Sequence, residues 1–242
     1  MPVPGLSDPG SLLMNASGGI WRSRERAPWP IVSAPFSMTL AHPALVDLLQ
    51  RAYSAEKAAA FAYIGHAGSL KDPAAKAAVK QIEDDEWGHR AHVLAIMRRY
   101  GIPMSRYYEV KYAVVGKLIA GSCYVIGWFM PIFFAGKLES GNVCEYFVMM
   151  HYFHSLGIRE HDAILYEMGM KEKEHEVYFL EQIKGSRLLP FFERVFCWGR
   201  ATSRNDVDLQ AKFSVEQSHR YCAAHAKARP VNAAAQVASQ DR

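Results

Sequence analysis

The hydrophobic positions of this chain fall into long blocks at helical spacing, and two-residue alternation is scarce. The first block runs from about Pro43 to Ala67, where Gly68 and Ser69 break it. Asp72-Pro73 then offers a capping side chain followed by proline at the first helical position. The helix opened there reaches about Tyr100, with Gly101 and Pro103 as its stop. Ser105 to about Ala135 reads as a further helical segment. Within it Leu118–Gly136 (LIAGSCYVIGWFMPIFFAG) carries no charge, although Pro131 and three glycines interrupt it. That run lies at the threshold of about 20 residues needed to cross a bilayer. Glu139-Ser140-Gly141-Asn142 reads as a break, after which a helix carries Cys144 to Leu156. Gly157 separates it from a long helix over about Ile158 to Ile183. Leu188 to Trp198 is a short apolar piece suited to docking or to an interface. The expectation is an all-α protein.

Composition narrows this only a little. Half of the 242 residues are hydrophobic, ample for one core. Residues 1–38, rich in Pro, Gly and Ser, are expected to form a flexible arm, 39–200 the helical domain and 201–242 a flexible tail. A net charge of +4, from 28 basic and 24 acidic residues, is too balanced to indicate nucleic acid as a partner. The four cysteines form no C-x-x-C pair and no disulfide framework, which disfavours a zinc or rubredoxin site. With no basic segment leading into an apolar run at the N-terminus, the expectation is an intracellular protein, cytoplasmic or peripherally membrane-associated.

The chemistry starts at EDDEWGH (83–89). Val79, Ile82, Glu86, His89 and Val93 share one helix face, so Glu86 and His89 sit among apolar residues. Glu83 falls at the edge of that face, and Asp84 and Asp85 are expected in solvent. A buried Glu beside a buried His costs several kcal/mol unless paired or bound to metal (~1–5 kcal/mol for the uncompensated charge). Leu165, Met168, Glu172, His175 and Phe179 repeat the same spacing, each 86 positions after its counterpart. Glu56, among alanines, precedes the first motif, and Glu145, in the otherwise uncharged VCEYFVMM, precedes the second. Glu…E-x-x-H…Glu…E-x-x-H is the ligand order of di-iron and di-manganese carboxylate bundles. Positions i and i+3 are helix neighbours, so one carboxylate and one imidazole reach the same ion. Four carboxylates balance two divalent ions in a dry core, and oxygen and imidazole donors suit iron or manganese. The predicted metal ligands are Glu56, Glu86, His89, Glu145, Glu172 and His175. A lone E-x-x-H means little, and the competing reading is a set of buried salt bridges with Lys57, Lys171 or Arg90. His151 is a candidate to orient a ligand carboxylate. Tyr63 and Tyr152, each seven residues after its glutamate, fit core packing more readily than redox chemistry.

The ligand order over roughly residues 42–185 resembles the ferritin-like superfamily. The chain looks most similar to the demethoxyubiquinone hydroxylases. The features are the ligand spacing, the apolar glycine-containing segment before the third ligand helix, and His151-Tyr152 after Glu145. It departs from that family around its first ligand, which sits in SAEKAAAFAY, and near the last motif, which reads KEKEHE. The resemblance implies a ferritin-like four-helix bundle of two hairpins, with residues 101–141 as a long apolar crossover and a short C-terminal helix. It implies two iron ions, with manganese as the alternative. The activity implied is a monooxygenase or hydroxylase that activates O2 and oxidises an apolar, quinone-type substrate at a membrane surface. No dinucleotide fingerprint is present, so electrons would come from an unidentified donor or a reduced quinone. The uncharged run serves interfacial docking or, alternatively, a homodimer interface. A ferroxidase, a rubrerythrin-like peroxide reductase and a non-catalytic metal-binding bundle are the other readings.

Overall fold

The computed structural model describes residues 40–198 and, upstream, the strands β1 (Leu13–Met14) and β2 (Ile20–Trp21). The chain divides into two compact units, Met1–Pro35 and Phe36–Arg242. What is described of the first is the antiparallel pairing of β1 with β2. Otherwise the expected flexible arm at 1–38 and flexible tail at 201–242 lie outside the described residues.

The described part of the second unit is helical. Its elements are α1 (Pro43–Ser69), α2 (Pro73–Arg99), α3 (Arg106–Ser122), α4 (Phe129–Ser155), α5 (Asp162–Ile183) and α6 (Leu189–Phe196). Local chemistry accounts for most boundaries. Asp72 accepts the Ala75 amide at 2.7 Å, with Pro73 behind it, and so opens α2. Gly101 (φ 64°) and Gly157 (φ 73°) end α2 and α4 in the left-handed conformation that favours glycine. After each, an isoleucine amide reaches back five residues, Ile102 to Met97 O and Ile158 to Phe153 O, both at 2.9 Å. These bonds satisfy carbonyls that the helix ends would otherwise orphan.

Two expected boundaries are corrected. The segment 105–135 is not one helix: α3 stops at Ser122, and Cys123–Trp128 turns the chain before α4 starts. Gly127 at φ 78° carries that turn. Conversely, Glu139-Ser140-Gly141-Asn142 is no break but lies inside α4. Glu139 and Ser140 are buried there, and the Asn142 amide donates to Glu139 Oε2 at 3.0 Å. Residues that look loop-forming by composition are turned inward, where burial and this bond hold them in the helix. Among the described residues no helix is long and apolar enough to cross a membrane.

α1 packs on α2 and α3, and α4 packs on α5; α1 also meets α4, and α2 meets α5. One apolar core joins Leu45, Leu49, Val93, Met97, Phe153 and Leu165. Another joins Ala67, Val79, Ile82, Phe133, Phe179 and Ile183. Along each helix the acidic and histidine positions fall between the segments that build these two cores. α3 is seated by small residues and by charge. A Cβ on Gly65 would lie 2.3 Å from Ala120 Cα, and one on Gly116 would lie 2.6 Å from Ala58 O, so these backbones touch. Glu109 on α3 accepts from Ser54 (2.8 Å), Lys57 (3.0 Å) and Arg90 (3.0 and 3.1 Å). At the other side Trp198 fills the space over Gly136, and its indole donates to Glu176 at 2.8 Å. Glu176 also pairs with the buried Lys173 at 2.7 Å.

Candidate metal centre

The two repeated helix faces meet. Val79, Ile82, Glu86, His89 and Val93 on α2 are all buried, as are Leu165, Met168, Glu172, His175 and Phe179 on α5. The imidazole centroids of His89 and His175 stand 6.2 Å apart. His89 Nδ1 lies 2.8 Å from Glu172 Oε1 and 4.0 Å from Glu86 Oε2. His175 Nδ1 lies 3.5 Å from Glu86 Oε1 and 3.7 Å from Glu172 Oε2. Each histidine therefore faces both central glutamates.

The outer carboxylates come from α1 and α4. Glu56, Glu86, His89 and Glu172 form one group whose donor atoms lie within 4.8 Å of one another. Glu86, Glu139, Glu172 and His175 form a second, on the same criterion. The groups share Glu86 and Glu172, and every member is buried.

Of the sequence-predicted ligands, Glu56, Glu86, His89, Glu172 and His175 converge, and Glu145 does not. Glu145 is partly exposed, and its Oε1 lies 3.5 Å from Arg51 Nε, which supplies the charge its apolar stretch lacks. Glu139, six residues earlier, stands in its place. Six residues of helix rotate a side chain by about 240°, so the two glutamates leave different faces. His151 and Tyr152 follow Glu145 away from the cluster: His151 is exposed, and the Tyr152 ring lies 4.5 Å from that of His42. Tyr63, in contrast, does reach the centre. Its hydroxyl donates to Glu139 Oε1 in a short hydrogen bond, and Tyr146 Oη donates to Glu56 Oε1 in another. Each tyrosine holds the outer carboxylate of the opposite hairpin. Asp85 also departs from the expected solvated position, with its Oδ2 3.2 Å from His175 Nε2. That contact occupies the ring nitrogen facing away from the cluster and leaves Nδ1 toward it.

Three functional positions were therefore not found by sequence reasoning: Glu139, Tyr146 and Asp85. A signal for the first two exists. Glu139 and Tyr146 repeat the seven-residue spacing of Glu56 and Tyr63, each 83 positions later. The α1–α4 repeat is thus three residues shorter than the 86-residue α2–α5 repeat. The difference sits within α1 and α4: Glu56 lies 13 residues before Ser69 at the end of α1, and Glu139 lies 16 before Ser155 at the end of α4.

Electrostatics define what the cluster lacks. Glu56 Oε2, both oxygens of Glu86, Glu172 Oε2 and His175 Nδ1 are buried without a hydrogen-bond partner, and His89 Nδ1 and Glu172 Oε1 meet only as an ion pair. The cations proposed by the salt-bridge reading are engaged elsewhere, Lys57 and Arg90 on Glu109 and Lys171 on Glu174. Burial, followed by the facing charges of Glu86 and Glu172, pushes the Glu56 carboxyl well above the usual carboxylate range. Burial and the Glu172 charge raise Glu139 likewise. Burial opposes ionisation of Glu172 too, but His89, Glu139 and His175 outweigh it and hold that carboxyl well below the usual range. Burial would also lower His175, yet Asp85, Glu172 and Glu86 raise it well above its ordinary value. Four carboxylates thus compete for too little positive charge. An oxygen- and imidazole-only donor set with orphaned inward-facing atoms fits two divalent cations of the hard or borderline kind.

No family model, curated protein or solved structure matches the chain.

Proposed function

We propose that this chain is a di-metal carboxylate oxidoreductase built as a ferritin-like four-helix bundle, similar to the demethoxyubiquinone hydroxylases. On this reading it uses two iron ions, with manganese as the alternative, and O2 to oxidise an apolar, quinone-type substrate at a membrane surface. The observation that carries the reading is the pair of overlapping donor groups sharing Glu86 and Glu172. Each hairpin, α1–α2 and α4–α5, contributes one outer carboxylate and one E-x-x-H, which is the arrangement of di-metal bundles. Glu56 and His89 would complete one half of the centre, Glu139 and His175 the other. The bound metals would supply the redox chemistry and open coordination positions for O2, with electrons replenished by an external donor or a reduced quinone.

The chain's own residues do the rest. Tyr63 and Tyr146 fix the outer carboxylates, each donating a hydroxyl hydrogen bond to a carboxylate oxygen. Asp85 sets the orientation of His175. The apolar cores on either side keep water away and strengthen every charge interaction between them.

Membrane contact is supported by the surface. Tyr107, Val110, Val114 and Leu118 recur at helical spacing along α3 and are exposed, and the stripe continues into Val125, which is 81% exposed. The acidic residue of α3, Glu109, is turned inward onto Arg90 and Lys57, whereas Arg106, Lys111 and Lys117 are basic. An apolar stripe flanked by positive charge, on a helix of 17 residues, suits the plane of an anionic lipid surface.

The test is metal content and the ferrous–O2 optical spectrum of the purified full-length chain. The expected result is about two ions per chain and an oxygen-dependent absorption band, with Glu86→Ala and Glu172→Ala each falling below one ion because both donor groups lose a shared carboxylate. Metal content below one ion per chain, unchanged in these variants, would refute the centre. Turnover of a short-chain quinone, compared with ferrous iron and peroxide, then separates a hydroxylase from a ferroxidase or peroxide reductase.

A further inference from the structure

Beyond the metal cluster, one buried polar group is unexplained. His66, in the last turn of α1, is 3% exposed, and its Nε2 has no hydrogen-bond partner. Burial lowers its pKa to about 4, so the imidazole is neutral near pH 7. A neutral imidazole keeps one donor and one acceptor nitrogen. An unpaired buried polar atom is costly, and native proteins seldom leave one without purpose (roughly 1–3 kcal/mol).

His66 lines a cavity of about 170 Å³ between the end of α1 and the α3–α4 turn. Ser69, Cys123, Tyr124, Trp128 and Pro131 line it as well. Tyr124 and Trp128 are 62% and 58% exposed, so the cavity lies beside the protein surface, at the corner where Val125 projects. Gly68 leaves room for the Tyr124 wall, since a Cβ there would lie 2.1 Å from Tyr124 Oη. A cavity of about 150 Å³ accommodates a benzene ring, so this volume fits one ring and few substituents. Two stacked rings link His66 to the acidic cluster. Phe179 contacts the His66 ring at 5.9 Å and the Tyr63 ring at 5.7 Å, and Tyr63 donates to Glu139.

We infer that this cavity binds a single aromatic ring carrying a hydroxyl or carbonyl oxygen, with that oxygen hydrogen-bonded to His66 Nε2. The apolar walls take the ring face, and His66 selects against rings without oxygen. The position, open toward the exposed apolar corner and joined to the cluster through Phe179 and Tyr63, makes it the station where the substrate ring is held. That role rests on the metal-centre reading; the binding site itself does not.

The experiment titrates the full-length protein, metal-free and metal-loaded, with 4-methylphenol and with toluene. Calorimetry gives the affinities, and the His66 imidazole is followed by NMR of histidine-labelled protein. The expected result is that 4-methylphenol binds about tenfold more tightly than toluene in both forms and shifts the His66 resonances, which toluene leaves in place. His66→Phe should bring the two ligands to equal affinity. Equal affinities in the unaltered protein, an unshifted His66, or a preserved preference in His66→Phe would each overturn the inference. Should His66→Phe fail to fold, the ligand preference and NMR shift of the unaltered protein still decide. Metal content measured on the same samples keeps the two readings apart. Selective phenol binding by a chain that takes up no metal supports the cavity and removes its catalytic role, whereas a metal-loaded chain without phenol binding overturns the cavity alone.

Discussion

Glu139 and Glu145 lie six residues apart on one helix, and only Glu139 faces the acidic cluster. Metal stoichiometry should therefore separate them. Glu139→Ala and Glu56→Ala should each reduce binding from about two ions to about one, because each outer carboxylate belongs to one donor group. Glu145→Ala should retain both ions, since Glu145 belongs to neither donor group and pairs with Arg51. The tyrosines act through the carboxylates they hold. Tyr63→Phe and Tyr146→Phe should each weaken metal binding about 10- to 100-fold without loss of helix content, the effect expected when a hydrogen bond to a ligand is removed. Competition against a calibrated chelator measures this directly. His66 gives a pH dependence of known sign. Its folded pKa, about 4, lies below the unfolded value near 6.5, so the native state binds fewer protons. Its contribution is complete above pH 6.5 and is lost as pH falls toward 4, by at most about 3 kcal/mol. Denaturant unfolding at stepped pH should show that slope, and His66→Phe should flatten it.

At the scale of elements, the α1–α3 crossing depends on the absence of side chains. Gly65 meets the backbone of Ala120 and Gly116 that of Ala58, neither of which can yield as a flexible side chain can. Gly65→Val and Gly116→Val should each destabilise the fold by about 1–3 kcal/mol or push α3 outward, read as a lowered denaturation midpoint. Much at this level was legible in the chain. Asp72-Pro73, Gly101 and Gly157 mark helix ends by local chemistry, and the structure uses all three. The apolar faces of α2 and α5 follow from spacing, because i, i+3 and i+7 must share a side whatever lies opposite. The misread elements depend on distant contacts. Glu139-Ser140-Gly141-Asn142 has loop composition, yet burial of Glu139 and its bond from Asn142 hold it in α4. The run 118–136 looks continuous by hydropathy, yet the chain turns at 123–128, beside the Gly68 and His66 end of α1.

For the helical unit as a whole, the acidic layer sits between two apolar cores. Without cations it concentrates buried negative charge, as the raised Glu56 and Glu139 carboxyls register. Metal should therefore stabilise the whole fold. Ferrous or manganous ion at about 1,000 times its dissociation constant should raise unfolding stability by about 4 kcal/mol per independent site, and stripping with a chelator should reverse the gain. A thermal midpoint indifferent to metal would place the acidic layer outside the folding equilibrium.

By itself the sequence determined α1, α2 and α5, the inward faces of α2 and α5 and the duplicated E-x-x-H, because helical period and end chemistry are local rules acting over a few residues. It also contained the matched pairs Glu56–Tyr63 and Glu139–Tyr146, whose repeat is three residues shorter than that of the E-x-x-H motifs. Tertiary structure alone decided which glutamate of α4 faces the cluster, that Asp85 turns from solvent to His175, and that each tyrosine reaches the opposite hairpin. Those choices depend on which helix packs where and at what rotation. A carboxylate one face away meets Arg51 rather than an imidazole, and no local pattern records that difference.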